Sequence, residues 1–180
     1  MLRRCFFFDR DGIVNKSPGA GYVERWEDFR IEPAFPPVLK QALEAGYEAV
    51  IVTNQRGVAL GRVSIKELER IHKELKSLLM RRYALRILDI EYCPHDNNQC
   101  DCRKPQPGMF ERAASRHGID LPGSWTVGDS LRDVEAGRRA GCGKTVLVSS
   151  ASKSQYADFI VPDMEALRKL LAIELTSDLD

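Results

Sequence analysis

Net charge is nearly absent from this 180-residue chain: 27 Lys and Arg face 26 Asp and Glu, a formal +1 at neutral pH. Such a balance supplies no field to draw nucleic acid or an acidic membrane surface, so neither is expected as a partner. Long apolar runs are missing as well; none approaches the roughly 20 residues that a membrane span needs. The opening Met1-Leu-Arg-Arg-Cys-Phe-Phe-Phe sets basic residues before apolar ones, but Asp9 interrupts it before the apolar stretch of an export signal can form. No signal peptide is therefore expected. Internal repeats, low-complexity tracts and a linker between domains are all lacking, and a single domain over residues 1–180 is expected. Cysteine is sparse and odd in number: Cys5, Cys93, Cys100, Cys102 and Cys142. An odd, clustered set without an export signal argues against a disulfide framework and for a reducing compartment, the cytoplasm.

What is present is a 43% hydrophobic share arranged as strands alternating with helices. The first apolar run, over residues 4–9, ends in Asp9-Arg10-Asp11-Gly12. Read as a buried strand and its loop, it delivers Asp9 to the carboxyl edge of a parallel sheet, the edge where open α/β sheets bind ligands. Two carboxylates so close repel unless a cation lies between them, and Mg²⁺ with oxygen ligands suits the pair. Taken alone, the stretch reads equally well as a strand that stops at an acidic turn.

A loop rich in Gly and Pro follows over residues 15–32, most turn-prone at 16–22. The spacing then predicts a helix over 36–45 stopped by Gly46, a strand over 47–53, and a helix opened by a Ser64/Glu67 capping box with Leu68, Ile71, Leu75, Leu78 and Leu79 on its apolar face. The basic run at 81–86 is expected to be a solvated helix end. Further strands are predicted over 87–92, 124–128, 144–148 and 159–161, and helices over 107–117, 131–140 and 163–175, with a frayed tail at 177–180. The alternation predicts a doubly wound, Rossmann-like, mostly parallel sheet.

Four polar sites then fall just past strand ends: Asp9/Asp11, Thr53/Asn54, Arg103/Lys104 and Asp129/Asp133. By residue type they support phosphoryl chemistry. A carboxylate can attack phosphorus, and a second one two residues on can move the proton. A hydroxyl, an amide and an ammonium can hold the phosphoryl oxygens, and a further acid can complete a metal shell. A separate cluster, Cys93-Pro-His95 with Cys100-Asp-Cys102, offers three thiolates and an imidazole, the full ligand set of a closed, structural Zn²⁺ site. Such a site would stiffen the loop before Arg103 and Lys104. Cys5 and Cys142 lie in apolar surroundings and are expected in the core, whereas His72, on a charged helix, and His117, near a helix end, are expected in surface or dipole roles.

Asp9-Arg-Asp11-Gly12, Thr53-Asn54, Lys104 and Gly128-Asp129-x-x-x-Asp133 resemble, in order, the four motifs of the haloacid dehalogenase (HAD) superfamily. The resemblance implies Asp9 as nucleophile, Asp11 as general acid and base, Thr53 and Lys104 as phosphoryl stabilisers, and Asp9, Asp11 and Asp129 around Mg²⁺, with Asp133 supporting that shell and Lys104. The spacing leaves no room for a large cap domain. The cysteine pattern is similar to two branches, the heptose-bisphosphate 7-phosphatases and the histidinol-phosphate phosphatases. Asn15, Gly21-Tyr22-Val23, Trp26-x-Asp28-Phe29 and the Thr53-Asn54-Gln55-x-Gly57 loop look more like the first. That branch implies contact between a phosphorylated sugar and Gly19, Ala20, Gly21, Tyr22, Asn54, Gln55, Arg56 and Arg103. Histidinol-phosphate hydrolysis and a non-catalytic phosphate-binding module are the rival readings, and a monomer is expected.

Overall fold

A computed structural model describes residues 2–150 and 153–177. Its sheet has six strands: β1 (Cys5–Phe8), β2 (Glu48–Asn54), β3 (Asp89–Cys93), β4 (Trp125–Gly128), β5 (Lys144–Val148) and β6 (Phe159–Val161). They lie in the order β3-β2-β1-β4-β5-β6, every pair parallel. The chain winds outward from β1 in one direction through β2 and β3, then returns to the other side of β1 for β4, β5 and β6. The order therefore reverses between β1 and β4, and a crevice opens there at the carboxyl ends of the strands. Asp9 and Asp129 follow the two strands that flank this point.

Among the described residues, five α-helices cover the sheet: α1 (Phe35–Glu44), α2 (Ile65–Tyr83), α3 (Gly108–His117), α4 (Leu131–Ala140) and α5 (Met164–Ser177). The alternation of β1 divides the core. Phe6 and Phe8 face the layer of α1, α2 and α5, packing with Leu39, Ile71 and Leu171. Cys5 and Phe7 face the layer of α3 and α4, packing with Phe110 and Ala136. With apolar cover on both sides, β1 is all Cys and Phe, as a fully buried parallel strand should be. Cys5 and Cys142 are core residues, as expected.

The expected elements all form, with shifts at their ends. α1 starts one residue early, placing Pro36 where a missing N–H costs nothing, and Gly46 follows its end at φ +80°. β3 starts at Asp89 rather than 87, because Ile87 packs into the core ahead of the ladder. Only half of the expected capping box forms on α2: Ser64 Oγ accepts from Glu67 N, while the Glu67 carboxylate accepts from Arg70 and from Trp26 N. α5 extends through Ser177, and the remainder of the expected frayed tail lies outside the described residues. The 15–32 loop is pinned at both ends, by Lys16 N to Arg30 O and Glu32 N to Val14 O, and buries Val23 and Phe29. Its Gly19–Tyr22 tip overhangs the crevice.

Candidate active site

The crevice holds a cavity of about 340 Å³, lined by Asp9, Asp11, Gly19, Ala20, Gly21, Tyr22, Thr53, Asn54, Arg56, Arg103, Lys104 and Asp129. Ser17, Pro18, Ser130, Arg132 and Asp133 also line it. The sheet thus brings nearly every expected site residue to one place. Gln55 is the exception: it is buried, and its amide donates to Asp11 Oδ2 (2.9 Å) and Thr53 Oγ1 (2.8 Å) behind the cavity wall.

Asp9 sits one residue beyond β1, with its N–H bonded to Val127 O of β4. Its Oδ1 accepts from Lys104 Nζ at 2.6 Å. The same ammonium donates to Val52 O at 2.7 Å and meets Asp133 Oδ1 at 2.7 Å, so all three of its N–H donors are used. The Lys104 main chain is fixed in turn by Asn54, whose Oδ1 accepts from Lys104 N (2.9 Å) and whose Nδ2 donates to Lys104 O (3.1 Å). Asp133 also accepts from Ser130 N and Oγ at the start of α4. Two glycines permit this crowding. A Cβ on Gly128 would collide with the Asp133 side chain, and one on Gly12, at φ +100°, would collide with the Asp129 carboxylate.

Charge in this cluster is unbalanced. Burial, with the Asp133 and Asp11 carboxylates nearby, pushes Asp9 up to about 8, although Lys104 pulls the other way. Burial and Asp133 likewise raise Asp129 to about 6. Burial alone would push Lys104 down, but Asp133 and Asp9 hold it above the usual lysine value. Carboxylate oxygens of Asp9, Asp129 and Asp133 lie within 4.8 Å of one another, against a single ammonium. An oxygen-lined cluster short of positive charge is what a hard divalent cation fits.

Asp11 belongs to a different set of contacts. Its carboxylate accepts from Arg10 Nε and Nη2 (3.0–3.2 Å), Asn15 Nδ2 (2.9 Å) and Gln55 Nε2. Burial alone would raise it, but Arg10 and these hydrogen bonds outweigh burial and lower it. Any oxygen that Asp11 gives to a metal therefore comes from its main chain or at the expense of these bonds.

In the Cys/His loop, Sγ–Sγ distances are 3.5 Å for Cys93–Cys100 and 3.3 Å for Cys100–Cys102; His95 Nδ1 is 3.6 Å from Cys93 and 3.4 Å from Cys102. Ligands about 2.0–2.3 Å from a tetrahedral zinc stand roughly 3.4–3.8 Å apart, so the donor set fits zinc. This loop also contacts two arginines: Arg56, from the loop after β2, meets Asp96 Oδ1 through Nε at 2.5 Å, and Arg103 donates to Asn97 Oδ1 at 2.9 Å.

Arg10 and Arg132 went unread, and the expectation for His72 was wrong. Arg10 is fully buried although it stands between two acids. His72, expected at the surface, is 7% exposed with Nε2 3.2 Å from Arg10 Nη1. Its place, four residues after Leu68 and three before Leu75, puts it on the edge of the apolar stripe of α2, a legible signal. Arg132, in the first turn of α4, reaches the cavity rim. His117, near its helix end as expected, lies 2.6 Å from Asp89.

A parallel sheet whose switch point gathers a buried Asp–Lys pair, further acids and an open polar cavity defines a HAD-type phosphatase fold. Residues 101–166 match the HAD-hydrolase-like family. The chain is 38% identical over 152 residues to the D-glycero-alpha-D-manno-heptose-1,7-bisphosphate 7-phosphatase of Photorhabdus laumondii, spanning 80% of this chain and 81% of that one. It is 35% identical over 151 residues to the D-glycero-beta-D-manno-heptose-1,7-bisphosphate 7-phosphatase of Pseudomonas aeruginosa, spanning 83% of each. The crystal structure of D,D-heptose 1.7-bisphosphate phosphatase from B. bronchiseptica, complexed with magnesium and phosphate, superposes with a TM-score of 0.82 at 30% identity, over 95% of this chain and 99% of that one. The chain belongs to the family of HAD-like phosphatases that includes these proteins.

Proposed function

We propose that the chain removes the 7-phosphate from D-glycero-D-manno-heptose 1,7-bisphosphate through an aspartyl phosphate on Asp9. The observation that carries the chemistry is the Asp9–Lys104 contact at 2.6 Å on the cavity floor, beside Asp129 and with Asp11 two residues on. The substrate is supported by the names of relatives that match across four-fifths of the chain.

An Asp9 carboxylate oxygen attacks phosphorus as the bond from phosphorus to the C7 oxygen breaks. Asp11, which enters this step in its protonated form, supplies the proton that the departing alkoxide takes up. Water then attacks the phosphorus of the aspartyl phosphate, Asp11 recovers a proton from that water, and inorganic phosphate leaves with Asp9 restored. The bonds from Arg10, Asn15 and Gln55 favour the ionised Asp11 that this second half needs. Lys104 and the Thr53 hydroxyl hold phosphoryl oxygens while charge moves between them. Magnesium, held by Asp9, Asp129 and an oxygen of Asp11, neutralises the carboxylate excess and the phosphate charge when bound. Asp133 fixes Lys104, and zinc on Cys93, His95, Cys100 and Cys102 holds the loop that carries Arg103.

A bisphosphate brings a second anion, which needs a cation away from Asp9. Arg132 is exposed and makes no hydrogen bond or ion pair among the described residues, and with Arg103 it lines both the central cavity and an adjoining one of about 360 Å³. These two arginines are assigned to the 1-phosphate, and Gly19–Tyr22 to the sugar. None of the five cysteines forms a disulfide, which supports a reducing, cytoplasmic setting. No helix among the described residues is long and apolar enough to cross a membrane. The test is a kcat/KM ranking over both heptose 1,7-bisphosphate anomers, heptose 7-phosphate and histidinol phosphate. The bisphosphate should lead by at least tenfold; a preference for histidinol phosphate would refute the substrate assignment.

A further inference from the structure

Behind Asp11 lie two buried groups: Arg10, which the reaction as written uses only to favour ionised Asp11, and His72, which it does not use. The Arg10 guanidinium is fully buried. It has five N–H donors and no acceptor, and two of its nitrogens are spent on Asp11. The third, Nη1, lies 3.2 Å from His72 Nε2. A guanidinium can only donate, so the ring nitrogen facing it must be the acceptor, which makes His72 neutral with its proton on Nδ1. Burial and the Arg10 charge both enforce this, pushing His72 down to about 3.

The ring is held in place from the other side. Tyr92, on β3, stands 5.5 Å from it, and the Tyr92 hydroxyl donates to Glu69, on the same helix as His72. Lys73, Lys76 and Asp89 line the small groove outside the ring. Without His72 as acceptor, Nη1 would be a buried donor with nothing to bond, a costly state that turning the guanidinium would relieve. Turning it would break the two-nitrogen grip on Asp11, which depends on the plane of the group.

We propose that His72 is a positioning residue: by accepting from Arg10 Nη1 it fixes the guanidinium plane, and the guanidinium fixes the Asp11 carboxylate for proton transfer at the leaving oxygen. This rests on the role of Asp11 given above. The heptose oxygen leaves as an alcohol and needs a proton, whereas p-nitrophenolate leaves without one. A displaced Asp11 should therefore harm the first substrate and largely spare the second, since kcat/KM reports steps through the first phosphoryl transfer.

The experiment measures kcat/KM for D-glycero-D-manno-heptose 1,7-bisphosphate and for p-nitrophenyl phosphate in the intact Mg²⁺-loaded protein and in His72→Leu and His72→Gln, with thermal unfolding of each. His72→Leu should lose at least about tenfold on the heptose substrate and under about threefold on the aryl one, a loss of the size expected when a catalytic group is slightly misplaced. His72→Gln, whose amide oxygen can accept from Nη1, should keep the wild-type ratio within about twofold of its value, as rescue by a retained acceptor requires. If His72→Leu does not fold, His72→Asn, too short to reach Nη1, replaces it with the same expectation. Parallel losses on both substrates, no loss on either, or a His72→Gln variant as impaired as His72→Leu would each overturn the proposal. A wild-type chain that hydrolyses neither substrate would instead refute the phosphatase reading itself.

Discussion

Replacing Lys104 with Met keeps the length of the side chain and removes the ammonium from between Asp9 and Asp133. Two buried carboxylates, both under 9% exposed, then face each other without their shared cation, and Val52 O loses its donor. Removing one partner of a buried ion pair costs about 3–5 kcal/mol. An orphaned buried carbonyl adds about 1–3 kcal/mol, less whatever water recovers. Against a total stability of about 5–15 kcal/mol, the metal-free variant should be left marginal near pH 8. The sign of the pH dependence follows from Asp9. Its folded value, about 8 with Lys104 in place, lies above the ordinary 3.8 and rises further once Lys104 is gone. A carboxyl raised in this way contributes stability at low pH that is lost as the pH climbs through its folded value. Protons thus substitute for the missing ammonium: the deficit of Lys104→Met should shrink as the pH falls toward about 8, the wild-type Asp9 value, and stay level from there to pH 5. Urea unfolding of both proteins without Mg²⁺, at several pH values, reads this directly. A deficit below about 1.5 kcal/mol at pH 8, under half the expected cost of a broken buried pair, would refute the reasoning, as would one that grows on acidification.

The same carboxylate excess predicts that Mg²⁺ stabilises the wild-type fold. At a hundred times its Kd it should add about 2.7 kcal/mol, raising Tm by roughly 5–10 °C in a chain of this size, and Asp129→Asn should abolish most of that rise in differential scanning fluorimetry. Metal analysis of protein prepared without chelator should find one zinc per chain and none in Cys100→Ser, whose KM should rise more than its kcat falls because the loop bearing Arg103 loosens. Arg132→Ala should raise KM for the 1,7-bisphosphate about tenfold, the size of one lost charge-assisted contact, while leaving KM for the 7-monophosphate within about twofold; equal effects on both would remove Arg132 from the 1-phosphate.

The strands, the helices and their order were legible in the sequence because each carries a local signal: an apolar run, a cap or a terminal glycine. α4 begins and ends where the pattern places it, between Ser130 and Gly141. Two of the four polar loops flank the switch point because the winding of the chain, read from the alternation of elements, puts β1 and β4 there, and the Thr53/Asn54 loop follows β2, beside β1. Pairings between distant positions were not legible. Arg10 meets His72 across 62 residues of chain, and nothing near either residue says so. Gln55 sits in a loop that reads as substrate-facing, yet its amide turns inward because Asp11 and Thr53 offer it acceptors. The half-formed cap on α2 has the same cause: Glu67 finds Arg70 and a distant backbone N–H, and does not return to Ser64.

Everything catalytic in this account turns on where phosphorus becomes covalently attached. A crystal structure of the protein with Mg²⁺ and beryllium fluoride, which mimics an acyl-bound phosphoryl group, tests that point most directly. Beryllium should be bonded to a carboxylate oxygen of Asp9, with its fluorines within hydrogen-bond distance of Lys104 Nζ and the Thr53 hydroxyl. Beryllium on any other side chain, or a cavity that holds only free fluoride species beside an unmodified Asp9, would contradict it.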